Sequence, residues 1–189
     1  MLFPGGLLNL KVFEARYLDL VSDSLRSRQP FGVVCLRQGS DVQQPGEVTR
    51  FEEVGVLAML DEVDSDQPGI LRVKCTGGQR FRIRSSSQQP GGLWCANTDL
   101  LPPDPSLAPS ESMIPTVRAL ANAIATLKQQ GAQPFLTPYR FDDAGWVANR
   151  WCELLPISLA AKQKLMELDQ PLVRLQLVDE FLRSKGVVS

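Results

Sequence analysis

The chain has 189 residues, a length typical of one domain or of one domain with a small companion. Its 43% hydrophobic and 22% charged residues are close to globular averages and exclude a chain that is disordered throughout. The 20 basic and 21 acidic side chains give a net charge of −1, which disfavours nucleic-acid binding driven by overall charge.

The sequence contains no histidine. Ser-His-Asp catalysis, Cys-His catalysis and zinc sites that use histidine are therefore excluded within this chain. The four cysteines form no C-x-x-C motif and lie in apolar segments, so we expect reduced, buried thiols and no disulfide framework. They are Cys35, Cys75, Cys95 and Cys152.

The apolar segments are short. None approaches the roughly 18–20 residues that a membrane span needs. Residues 1–6 lack the basic segment and the long apolar core of a secretory signal. We therefore expect a soluble protein of the cytoplasm with no membrane partner.

Strand patterns dominate the first hundred residues. Residues 7–13 alternate in part and predict a strand, whereas residues 14–28 carry apolar side chains at helical spacing and predict a helix that Pro30 ends. The apolar run at 31–37 predicts a buried strand. A polar loop is expected at 39–46.

Two further strands are predicted, at 51–63 and at 93–100. Gly55 lies inside the first of them, which predicts a β-bulge or a close backbone contact at this point. The second follows the glycine pair 91–92, which is typical of a turn.

Between these two strands the sequence predicts a β-hairpin with a basic face. Residues 70–75 and 80–84 alternate, and Gly77-Gly78 is the predicted turn. Alternate residues of a strand point the same way, so the cations share one face, a candidate anion-binding surface. It comprises Arg72, Lys74, Arg80, Arg82 and Arg84.

Two features weigh against this basic face as a nucleic-acid site. Phe81 and Ile83 point to the opposite side of the strand, so they cannot stack on a base bound to the arginines. The alternative is a solvated face whose cations pair with nearby acids, including Glu52 and Glu53.

The acidic stretch at 61–66 does not fit a calcium loop. An EF-hand needs glycine at its sixth position and an acid at its twelfth, whereas a loop starting at Glu62 has Gln67 and Val73 there. We therefore expect a solvated strand end and no metal site.

A proline-rich segment at 102–112 predicts a linker, and we divide the chain into a β-rich domain at 1–103 and a helical domain at 104–189.

Four helix patterns follow the proline-rich segment. The second can be capped by Asp142 or Asp143 and the third by Ser158, and Gly186 is a plausible end of the fourth. Strands followed by helices indicate an α+β protein.

No catalytic motif is present. The sequence lacks the P-loop, the G-x-G-x-x-G dinucleotide fingerprint and the G-x-S-x-G nucleophile elbow, and no catalytic dyad or triad is recognisable. We expect no enzymatic activity and no cofactor.

Several motifs occur in the order found in a known family. Together they resemble the N-terminal, substrate-binding domain of Lon proteases, and the helical half from Leu155-Pro156-Ile157-Ser158 onward is similar too. The motifs are Leu2-Phe3-Pro4-Gly5-Gly6, residues 10–17 (LKVFEARY), residues 30–34 (PFGVV), residues 53–58 (EVGVLA) and residues 77–83 (GGQRFRI).

The resemblance implies a PUA-like β pseudo-barrel lobe followed by an α-helical bundle lobe. It also implies recognition of unfolded or exposed polypeptide segments and contacts between subunits. We expect a stand-alone version of the domain, without the ATPase and protease modules, and a separate protease or a chaperone is a possible partner. The family has an apolar strand before the Leu-Phe-Pro-Gly segment, and this sequence starts at that segment. Either the start codon is placed too late or the strand is lost, and a lost strand would leave an open sheet edge that invites aggregation or strand addition from a partner.

Two binding functions follow as alternatives. The first is recognition of polypeptide, for which the candidate contacts are Tyr17, Phe31, Met59 and Phe81. The second is RNA binding by a PUA-like module through the 72–84 hairpin, which rests on analogy of fold.

Overall fold

The computed structural model describes residues 1–39 and 48–188, and of residue 66 the backbone alone. The chain is α+β, as predicted. It consists of two compact units, Met1–Pro102 and Pro103–Ser189. No helix in the described ranges is long and apolar enough to cross a membrane.

The described residues of the first unit form one helix and two antiparallel sheets. Its elements are β1 (Leu7–Val12), α1 (Ala15–Ser27), β2 (Phe31–Val33), β3 (Leu36–Gln38), β4 (Arg50–Phe51), β5 (Val54–Gln67), β6 (Ile70–Gln88) and β7 (Trp94–Leu100). Five strands form a sheet in the order β1-β6-β5-β2, with β7 also paired to β6. Strands β3 and β4 pair separately.

The predicted hairpin around Gly77-Gly78 is wrong. Strand β6 runs unbroken through both glycines for 19 residues, and the reversal lies at 68–69, where Gly69 has φ +81°. Gly77 serves a different purpose, because a Cβ there would lie 2.1 Å from the carbonyl oxygen of Phe3. Its backbone is bonded to the N-terminal segment, with Gly77 N donating to Gly6 O at 2.8 Å.

The predicted buried strand at 31–37 is also incorrect. It is divided into β2 and β3, which belong to different sheets, and none of its residues is fully buried. Phe31 pairs with Ala58 of β5, whereas Leu36 pairs with Phe51 of β4. An apolar run therefore marks a sheet edge here rather than its centre. Apart from Gly39, the expected loop at 39–46 lies outside the described residues.

The core of the first unit forms around β5 and β6. Helix α1 contributes Val21, and the N-terminal segment contributes Leu2 and Phe3. The buried apolar side chains of the two strands are Val54, Val56, Ala58, Val73, Cys75 and Phe81. At Gly55 the expected close contact is present, since a Cβ there would lie 2.5 Å from the oxygen of Val33.

The second unit is helical. After a 3₁₀ turn at Glu111–Met113 come α2 (Ile114–Gln129), α3 (Ala144–Leu154), α4 (Leu159–Glu167) and α5 (Pro171–Ser184). Two predicted caps are confirmed: Asp143 accepts from Trp146 N at 2.9 Å, and Ser158 accepts from Ala161 N at 3.2 Å. Gly186 follows α5 with φ +68°.

A buried guanidinium ties the proline-rich segment to the helices. Arg174 has a side chain only 1% exposed and donates to Asp104 Oδ2 at 2.5 Å and to Asn149 Oδ1 at 2.9 Å. It also donates to the carbonyl oxygens of Leu165, at 2.9 Å, and Leu168. The start of the expected linker is therefore a packed part of the second unit.

The cysteines differ in accessibility. All four are free thiols; Cys75 and Cys152 are buried as expected, but Cys35 is half-buried and Cys95 is exposed. Cys95 departs from the expectation because it lies on β7, all of whose residues are exposed. Among the described residues, no group of three or more cysteine, aspartate or glutamate side chains could hold a metal ion.

Candidate functional site

An exposed apolar surface on the first unit combines residues from three strands. The rings of Phe51 and Trp94 meet edge to face with centroids 5.3 Å apart, and Leu36 is the cross-strand partner of Phe51. Trp94 is 38% exposed, and Leu36 is exposed as well. We call Leu36, Phe51 and Trp94 the aromatic patch.

The turn before β7 fixes the position of Trp94. In this turn Gln89 N donates to Leu93 O and Gly92 N donates to Gln89 O, both at 2.8 Å. The side chain of Gln88 donates to Gly92 O at 3.0 Å, and Trp94 is the ladder partner of Gln88. The indole therefore projects from a turn that is bonded to itself at several points.

Helix α1 supports the same turn through Arg16. Arg16 Nη1 donates to Gly92 O at 2.9 Å, while its Nη2 lies 3.0 Å from Glu14 Oε2. Its guanidinium carbon lies 4.5 Å from the ring centroid of Tyr17. Tyr17, one of the candidate contact residues, thus stacks on the arginine that holds the turn beside the aromatic patch.

The other three candidate contacts do not form one surface. Phe81 is 3% exposed and packs against Gly32 and Gly55, so its ring belongs to the core. Met59 is exposed on β5, and Phe31 is half-buried on β2. The roles of Tyr17, Phe31 and Met59 stay predictions.

Sequence reasoning missed the aromatic patch. Leu36 and Phe51 come from strands that are two or three residues long, and their pairing is not visible in a local pattern. The available signal was Trp94, the only large aromatic residue of β7, which is otherwise mostly small and polar.

The basic residues lie on one continuous strand rather than across a hairpin. Arg72, Lys74, Arg80, Arg82 and Arg84 all belong to β6. They do not share one solvated face, because Arg80 is only 3% exposed whereas the others are exposed. The ladder between β5 and β6 shifts register between Val56 and Ala58, opposite 77–80, which changes the alternation at this point.

Acidic partners accompany several of these cations. Arg84 pairs with Asp99, and Arg82 Nη1 lies 4.0 Å from Glu53 Oε2. Lys74 Nζ donates to Glu62 Oε2 at 2.6 Å, and this hydrogen bond raises the lysine pKa. The expected pairing with Glu53 is present, while Glu52 pairs instead with Arg37 at 3.3 Å.

A shallow depression of about 480 Å³ lies over β1, β5 and β6. It carries both signs of charge, so it is not a uniformly basic cradle for an anion. Its lining residues are Asn9, Leu10, Lys11, Glu62, Asp64, Arg72, Val73 and Lys74.

Comparison with known proteins identifies the family. The sequence profile of the ATP-dependent protease La (LON) substrate-binding domain matches residues 1–184. A Lon N-terminal domain protein from Xanthomonas campestris has a similar structure, with 26% identity, a TM-score of 0.73, and coverage of 94% of this chain and 90% of that one. The N-terminal domain of the Mycobacterium avium complex Lon protease shares the fold at 16% identity, with a TM-score of 0.60 and coverage of 95% and 91%.

A search of curated proteins found no match. The profile match nevertheless spans both units described above, from the N-terminal segment to the end of α5. The resemblance inferred from the sequence motifs is thereby confirmed. The chain belongs to the family of Lon substrate-binding domains.

Proposed function

We propose that the chain is a non-enzymatic recognition module that binds unfolded or exposed polypeptide segments at the aromatic patch. The observation that carries this proposal is the exposed Trp94 packed against the half-buried Phe51, on a domain whose family is defined by substrate binding. Tryptophan is among the residues that contribute most to protein interfaces when it becomes desolvated.

The physical chemistry of the patch suits clients of varied sequence. Burial of apolar surface is favourable at about 25 cal/mol per Å² and does not depend on direction. A patch of Leu36, Phe51 and Trp94 can therefore accept different apolar side chains. Binding of this kind should survive high salt, because it does not depend on charge pairs.

Free thiols support a reducing compartment, and we place the module in the cytoplasm. Its partners are client polypeptides. A client held in this way could be delivered to a separate protease or a chaperone.

The test is equilibrium binding of the whole chain to a labelled, permanently unfolded model polypeptide, measured by fluorescence anisotropy at low and high salt. We expect saturable binding that persists at high salt. Trp94→Ala should weaken this binding about tenfold or more. Leu177→Ala is the matched control, since Leu177 is an exposed leucine on α5 of the second unit. It should leave the affinity unchanged.

Three outcomes would overturn the proposal. The first is the absence of polypeptide binding by the unsubstituted chain, and the second is an equal loss of affinity for Trp94→Ala and Leu177→Ala. The third is binding of a labelled single-stranded RNA that weakens steeply with salt while the polypeptide does not bind. That result would favour the basic residues of β6.

A further inference from the structure

We infer that the outer edge of β7 receives an extended, uncharged segment of the client as an added β-strand. The inference rests on the proposed function and adds a main-chain mode of recognition to it. β7 is bonded to β6 on one side, and no strand of the described residues pairs with its other side. This free side is the outer edge.

The hydrogen bonds at the two ends of β7 show which backbone groups face outward. Leu101 N donates to Arg80 O at 2.9 Å, and Gln89 N donates to Leu93 O at 2.8 Å. In an antiparallel ladder, residues whose backbone N–H and C=O groups point toward the partner strand alternate with residues whose backbone groups point away from it. The odd-numbered positions therefore bond to β6, and the outward N–H and C=O groups belong to Trp94, Ala96, Thr98 and Leu100.

This edge lacks the features that usually prevent strand addition. Natural edge strands are protected by lysine, proline, bulges or very short length. β7 has seven residues, all exposed, without lysine, arginine or proline. The register shift of the β6–β7 ladder falls between Ile83 and Ser85 of β6, while Asn97 and Thr98 of β7 pair consecutively, so β7 itself carries no bulge.

Charge and side-chain chemistry define the segment that fits. The one ionised side chain of β7 is Asp99, and it is already paired with Arg84. The edge therefore presents no uncompensated charge and matches an uncharged segment. Residues two apart share a face of the strand, and on the face of Trp94 every β7 side chain is neutral. That face begins and ends with an exposed apolar side chain, Trp94 and Leu100.

The edge is also continuous with the aromatic patch, because Trp94 belongs to both. A client strand laid along β7 would place its own side chains beside Trp94 and Leu100, as cross-strand neighbours do. Main-chain hydrogen bonds provide affinity without regard to sequence, and the apolar side chains select segments that are buried in folded proteins.

A proline on the edge tests the inference directly. Thr98→Pro removes one outward N–H without removing a bond to β6, whereas Thr98→Val keeps the N–H and changes the side chain. The probe is a labelled ten-residue peptide in which valine and threonine alternate. We expect Thr98→Pro to weaken its binding about tenfold and Thr98→Val to leave it unchanged. Matching circular dichroism spectra and melting temperatures would show that the variants remain folded.

The same pairing can be tested from the side of the peptide. Peptides N-methylated at alternate residues lose their amide donors on one edge only. We expect one of the two methylation patterns to abolish binding and the other to be tolerated, a difference that burial of side chains alone would not produce. This arm uses the unsubstituted chain, so it decides the question even if Thr98→Pro does not fold.

The outcomes separate this inference from the proposed function. If the unfolded polypeptide binds but neither Thr98→Pro nor N-methylation has an effect, strand addition is wrong and recognition at the aromatic patch stands. If no polypeptide binds, both fail. A concentration-dependent dimer that Thr98→Pro disrupts, with the peptide unaffected, would assign the edge to a second copy of the chain and overturn the inference.

Discussion

Gly55 and Phe81 face one another across the β5–β6 ladder, and the phenyl ring covers the glycine. A Cβ at Gly55 would lie 2.6 Å from Phe81 Cζ and 2.5 Å from the oxygen of Val33. The missing side chain allows β2 to approach β5 while the ring fills the space above it. An aromatic residue opposite a strand glycine compensates in this way for the weak packing of the glycine.

Gly55→Ala should therefore destabilise the first unit. The added methyl group meets a carbonyl oxygen and a ring held in the core, and overpacking of this kind costs about 1–3 kcal/mol or more. Urea unfolding followed by circular dichroism would measure the loss. Gly91→Ala is the control, because a Cβ there has no neighbour within 4 Å. Equal stabilities of the two variants would contradict the account.

The stability of the second unit should depend strongly on Arg174. Arg174→Leu leaves the Asp104 carboxylate and the carbonyl oxygens of Leu165 and Leu168 without their buried donor, and breaking a buried ion pair costs about 3–5 kcal/mol. Unfolding monitored at a helical circular dichroism band would measure this loss of stability. Arg26→Leu removes an exposed pair with Asp23 and should change the free energy of unfolding by less than about 1 kcal/mol. Similar losses for both arginines would refute this prediction.

Glu153 should make stability depend on pH near neutrality. Burial raises its pKa from 4.5 to about 7, although the neighbouring Arg150 opposes the shift. The folded chain then binds this proton more tightly than the unfolded chain. The protonated Glu153 carboxyl therefore contributes its full stabilisation below about pH 4.5, and this stabilisation is lost as the pH rises through about 7. Glu153→Gln should flatten this part of the curve of melting temperature against pH, and an unchanged slope would exclude Glu153 as its source.

The exposed thiol of Cys95 should react before the two buried thiols. Cys95 is exposed, whereas burial raises the pKa of Cys75 to about 11 and that of Cys152 to about 12. Since the thiolate is the reactive form, a disulfide reagent should modify Cys95 first and the two buried thiols only when the chain unfolds. Cys95→Ser should remove the fast phase. Rapid modification of Cys152 in the folded chain would contradict the structure.

The helical half was predictable because its signals are local. The sequence predicts Asp142 or Asp143 as one cap and Ser158 as another, from their positions before apolar stripes. In the structure Asp143 and Ser158 each accept the expected backbone N–H. The start of the proline-rich segment packs against the helices because Asp104 pairs with Arg174, which lies far away in sequence. Composition alone cannot show such a contact.

The β-rich half was predicted less well because glycine has two uses in a strand. The sequence predicts a turn at Gly77-Gly78, but Gly77 permits the close approach of the N-terminal segment within a continuous strand. The motifs that revealed the family did not reveal the aromatic patch. Leu36, Phe51 and Trp94 come together only through strand pairing and ring packing over long sequence distances.

The length of β6 also bears on the order in which the sheet assembles. Its pairings with β5 and β7 close through short turns at 68–69 and 89–93, so little chain entropy is lost in forming them. Its pairing with β1 joins Leu7 to Thr76 and must close a far longer loop. We therefore expect the three-stranded meander β5-β6-β7 to form early in folding, with β1 and the N-terminal segment docking onto it afterwards.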